Sequence, residues 1–95
     1  MVNNQRVYKK ALKLYGLTSQ IDITIEECSE LIQALVKFKR YGTDKTVTKI
    51  LDELVDATIM IEQMIASFHL RDKFYERKKY KIERLIKRLE KEETK

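Results

Sequence analysis

The chain has 95 residues, 43% of them hydrophobic, with 20 Lys and Arg against 15 Asp and Glu and a net charge of +5. A chain of this length forms one domain, here residues 1–95, and buries only about 60–65% of the surface its unfolded form exposes, so its core is marginal and oligomerisation is expected. A single cysteine, Cys28, excludes an internal disulfide and a thiolate-rich metal site; with no signal-peptide core near the N-terminus and no apolar run approaching the ~20 residues that span a bilayer, a cytoplasmic location without membrane association is expected.

The absence of proline and the separation of Gly16 from Gly42 point to long uninterrupted helices and an all-α chain. The first helix is predicted over residues 4–15, with Val7, Ala11, Leu14 and Tyr15 on one face and Gly16 as its stop. The second is predicted over 20–40, where Ile21, Ile25, Cys28, Ile32 and Leu35 alternate at spacings of four and three. Gly42 ends it, and Thr43-Asp44 can cap the next helix. Cys28 reads as a small buried hydrophobe within that apolar stripe.

The third helix, over 45–68, is apolar on nearly every side through Leu54, Val55, Ala57, Ile59, Met60, Ile61, Met64, Ile65 and Ala66. Such a helix is expected to be central and buried, and too apolar for three short neighbours to cover in full. The fourth, over 72–92, keeps a narrow stripe of Phe74, Tyr75, Ile82, Leu85, Ile86 and Leu89 among many charges. It also holds the charge excess: residues 1–70 carry nine basic against nine acidic residues, and residues 71–95 carry eleven against six. A basic pole of this kind suits an anionic partner.

Residues three apart share a helix face, so Glu27 and Glu30 point one way on the second helix, as do Glu53 and Asp56 on the third. Two such helices packed antiparallel would gather four carboxylates, a charge that requires a cation in a semi-buried place. Oxygen ligands select a hard ion, Mg²⁺ or Mn²⁺, over zinc. In a chain 37% charged, acidic pairs at helical spacing also arise on solvated faces. Asp56 tips the balance toward function, because an aspartate within an apolar helix costs several kcal/mol unless it is paired.

The run Glu26-Glu27-Cys28-Ser29-Glu30, followed after twenty-two residues by Glu53-Leu54-Val55-Asp56, resembles the EExxE…ExxD signature of the MazG-like all-α nucleoside triphosphate pyrophosphohydrolases. Residues 20–40, 52–64 and 81–88 resemble the short members of that family common in phages. The resemblance implies an oligomeric, four-helix-bundle-like fold and a Mg²⁺-dependent reaction in which water attacks the α-phosphorus of an NTP or dNTP to give the monophosphate and pyrophosphate. It assigns Glu27, Glu30, Glu53 and Asp56 to the metal. Glu26, four residues before Glu30, is the candidate catalytic group, in competition with a place behind the metal ligands or a merely solvated one. For the phosphates, the candidates are Lys37 and Lys49 near the acidic residues, and Lys81, Arg84 and Arg88, whose stripe also reads as a solvated face. Gln20 is the candidate base contact, beside Ile23, Tyr8 and Tyr15. His69 reads as a surface or capping residue. A homodimer or a dimer of dimers is expected, in which the basic stripe reaches the neighbouring subunit's metal site.

Two other readings compete. A di-iron carboxylate bundle requires Glu-x-x-His pairs, and neither acidic helix contains a histidine. A non-enzymatic helical module would use its basic last helix for nucleic acid or a partner protein. That reading leaves Asp56 without a reason, and no DNA-binding motif is present, so nucleic acid is not the expected partner.

Overall fold

A computed structural model describes residues 4–95. Its four helices are α1 (Asn4–Tyr15), α2 (Leu17–Tyr41), α3 (Asp44–Ser67) and α4 (Arg71–Glu93), with no strand among the described residues. None of the helices is long and apolar enough to cross a membrane.

α2 starts three residues before the apolar periodicity predicts. Gly16, at φ 86°, serves two helices at once. Its N–H donates to the Leu12 carbonyl at 2.9 Å, closing α1, and its own carbonyl accepts from Gln20 at 3.2 Å, opening α2. Thr18 and Ser19 are weak helix formers, but they occupy a first turn whose N–H groups have no intrahelical acceptor in any case.

The turn between α2 and α3 is two residues long. Gly42 adopts the left-handed conformation (φ 57°, ψ 37°) and donates to the Phe38 carbonyl at 2.8 Å. A Cβ there would meet nothing nearer than that oxygen, at 3.8 Å, so it is the backbone angle that selects glycine. Thr43 caps α3 reciprocally: its hydroxyl accepts from the Thr46 N–H at 3.2 Å, and the Thr46 hydroxyl accepts from the Thr43 N–H at 3.0 Å.

This turn folds α2 and α3 into an antiparallel hairpin. Gln20 meets Gln63 near the far end, where its Nε2 donates to Gln63 Oε1 at 2.7 Å. Ala34 and Ala57 are buried, and their small side chains let the helices approach closely. Tyr8 and Met60 complete the buried apolar set, and α1 is pinned to α3 by the Tyr8 hydroxyl donating to Glu62 Oε1 at 3.0 Å.

One expectation is corrected here. α3 is central, yet it is not buried all round: Leu51 is 60% exposed, and Leu54, Val55, Ile59 and Ile61 also face solvent. The reason lies in α4, which touches only α3 among the helices and contributes no buried residue, so a single chain does not close a four-helix bundle. The accessible surface is 8347 Å², against about 5,800 Å² for a compact monomer of this mass. The radius of gyration is 16.9 Å, against about 12.4 Å for a compact chain of this length.

Candidate metal centre

The register of the hairpin decides which acidic residues meet. Glu30 and Glu53 share the register of the Gln20–Gln63 pair, ten residues nearer the turn on each helix, and Glu27 and Asp56 fall in that register three residues further from the turn. The carboxylates of Glu27, Glu30 and Glu53 each offer an oxygen within 4.8 Å of the others. Glu53 is 3% exposed, while Glu27 and Glu30 are half-buried.

Asp56 stands outside that triad and is exposed. Contrary to expectation, this aspartate in an apolar helix is not buried: α3 is covered on too few sides, and the buried carboxylate is Glu53. The Asp56 charge still reaches the cluster, as it raises the pKa of Glu27. Glu26 is exposed at the rim, and its charge acts on both Glu27 and Glu30.

Crowding makes full ionisation unfavourable. The Glu27 pKa is raised above its ordinary 4.5, first by burial and then by the charges of Glu30, Asp56, Glu53 and Glu26. That of Glu30 is raised first by burial and then by Glu53. One cation relieves the cluster: Lys49 Nζ lies 2.9 Å from Glu53 Oε1, one helical turn away. The opposite oxygen, Glu53 Oε2, is buried with no hydrogen-bond partner, as is Glu27 Oε2. Two orphaned carboxylate oxygens beside a third carboxylate fit a hard divalent cation, because ionised carboxylates accept and cannot donate to one another.

A cationic cleft of about 460 Å³ lies between this cluster and the turn, lined by Ala34, Lys37, Lys45, Thr46, Thr48, Lys49 and Asp52. It brings together Lys37 and Lys49, both expected from the sequence. It also adds Lys45, which sequence reasoning missed although it lies one turn before Lys49 on the same helix face. Lys81, Arg84 and Arg88 are exposed on α4, and no contact joins α4 to α2 among the described residues. The basic stripe and the acidic cluster therefore do not meet within one chain.

Gln20 does not line an open pocket. It is 3% exposed, with its amide nitrogen committed to Gln63, whose own Nε2 donates to Met60 Sδ at 3.2 Å. Tyr8 is likewise buried, while Tyr15 and Ile23 are exposed. His69 is exposed in the turn before α4, at φ 55°.

No family model, curated protein or solved structure matches this chain.

Proposed function

We propose that this chain is a Mg²⁺-dependent nucleoside triphosphate pyrophosphohydrolase of the MazG-like kind, acting on an NTP or dNTP. The observation that carries the proposal is the meeting of Glu27, Glu30 and Glu53 from two helices, with two of their oxygens buried and unpartnered. These three residues would hold the ion, with Asp56 at the level of Glu27 as the fourth carboxylate. Bound Mg²⁺ or Mn²⁺ would offset phosphate charge and lower the pKa of a bound water.

The residues of the chain divide the remaining work. Lys49, 2.9 Å from Glu53 Oε1, holds that carboxylate in place. Lys37, Lys45 and Lys49 face one cleft beside the carboxylates, so a polyphosphate tail would lie toward the turn. Glu26, exposed at the rim, would take the proton of the attacking water. The water oxygen bonds to the α-phosphorus, the bond from that phosphorus to the bridging oxygen breaks, and pyrophosphate leaves with the electron pair. Lys81, Arg84 and Arg88 would join from a neighbouring subunit of a homodimer or dimer of dimers.

The test is pyrophosphate release from a panel of canonical and modified NTPs and dNTPs with Mg²⁺ or Mn²⁺. Metal-dependent release that falls about 100-fold or more in Glu53→Gln supports the proposal. A folded protein that is silent across the panel overturns it. One observation favours a second reading in that event: α4 is free of the bundle and carries ten basic residues. Salt-sensitive binding to duplex DNA would then assign the helix to nucleic acid.

A further inference from the structure

A cavity of about 570 Å³ lies where α1, the end of α3 and the beginning of α4 come together. Its size is ordinary for a small-molecule site. Ile65, on its wall, stands twelve residues beyond Glu53 along α3, about 18 Å at the rise of a helix. The lysine cleft beside the carboxylates lies on the other side of Glu53, toward the turn. The cavity is therefore separate from the acidic cluster.

Its lining divides in two. Tyr8 is buried, Leu12 and Ile65 are half-buried, and together they make an apolar floor. Lys9 of α1, His69 of the turn, and Arg71 and Lys73 of α4 stand exposed around that floor, with Asp72 as the one acidic group in the lining. None of these four basic residues forms an ion pair among the described residues. Like charges that converge without partners repel one another, and an anion placed between them removes that repulsion. α1 and α4 make no contact with each other among the described residues, so Lys9 faces the α4 pair across the cavity. His69 is held at φ 55°, a conformation that costs a non-glycine residue about 1 kcal/mol or more. Strain of this kind gathers at ligand clamps.

We propose that this cavity binds a small organic anion, with an acidic head for Lys9, Arg71 and Lys73 and an apolar body for the floor of Tyr8, Leu12 and Ile65. An inorganic anion leaves the floor bare, and a neutral apolar molecule leaves the cations unanswered, so both halves are required. Bound there, the anion links α1 to α4. The inference does not rest on nucleotide hydrolysis at the acidic cluster.

The experiment is an amide NMR titration of the full chain with 1-naphthyl phosphate in the absence of divalent metal, beside inorganic phosphate and 1-naphthol as the two halves of the probe. Saturable shifts centred on residues 8, 9, 12, 65, 69 and 71–73 are expected, with a Kd below about 1 mM. Either half alone should bind at least about 10-fold more weakly. The double variant Lys9→Glu/Lys73→Glu changes two exposed side chains, so helicity by circular dichroism should persist while affinity falls about 10-fold or more. Lys73→Gln, a milder change, should weaken binding in the same direction. Shifts centred instead on Lys37, Lys45 and Lys49 overturn the proposal, as does an affinity that these variants leave unchanged. Inorganic phosphate binding as tightly as the probe overturns it by leaving the apolar floor unused, and so does a titration that never saturates.

Discussion

Glu53 concentrates the chemistry of the molecule: it is buried, it holds Lys49 on one oxygen, and its other oxygen has no partner. Saturating Mg²⁺, at about 100 times its dissociation constant, should stabilise the fold by about 2.7 kcal/mol, a rise of about 10 °C or more in Tm for a domain of this size. Glu53→Gln should abolish that rise while folding normally; an undiminished rise would assign the ion to another site. The raised pKa values of Glu27 and Glu30 give a pH dependence in the metal-free protein. Both groups bind protons more tightly folded than unfolded, so their contribution to stability is complete below the ordinary 4.5 and is lost as pH rises through the raised values. The metal-free Tm should therefore rise as pH is lowered toward the ordinary 4.5, and Mg²⁺ should reverse that slope. At the opposite face, Tyr8→Phe removes the hydroxyl that donates to Glu62 at 3.0 Å. The expected loss is about 1 kcal/mol in urea denaturation.

At the scale of the elements, the turns carry the clearest predictions. Gly42→Ala forces an L residue to φ 57° with no steric clash, so it should cost about 1 kcal/mol. His69 already occupies such a position, at φ 55°. His69→Gly should stabilise by a comparable amount, and a loss of stability would mean that the imidazole makes a contact that outweighs its strain. These turns also explain what was legible in the sequence. Gly16, Gly42 and Thr43 announced the helix ends, and the EExxE and ExxD spacings announced two acidic faces. The hairpin register then set Glu30 against Glu53. The exposure of Asp56 was not legible, because the apolar sequence around it implied that α3 is covered on every side. The role of Gln20 was also hidden, since a polar residue that clamps two helices has the same local signature as one that lines a pocket. Lys45 was missed because one lysine in a highly charged chain gives no sign of the cleft it will share.

The whole molecule is an α2–α3 hairpin braced by α1, with a basic helix held apart from it. Its separate parts follow from composition: a chain this short cannot by itself bury all of its large hydrophobic side chains, and 26 of those among the described residues remain exposed. Sequence periodicity identifies an apolar face without identifying the chain that covers it, so the detachment of α4 was not readable in advance. If a second copy supplies the cover, the carboxylates and the basic stripe belong to one composite surface, and stability and activity should both depend on protein concentration. Activity per chain that stays constant through dissociation would place the full site within a single hairpin.

The central claim is that Glu27, Glu30 and Glu53 hold a divalent cation that serves hydrolysis. The most direct measurement is an NMR titration with Mn²⁺, whose unpaired electrons broaden the amide signals nearest the ion. Broadening centred on residues 27, 30 and 53, displaced by Mg²⁺ and absent from Glu53→Gln, is the predicted result. Broadening spread across the exposed carboxylates of α4, or unchanged in the variant, would contradict it.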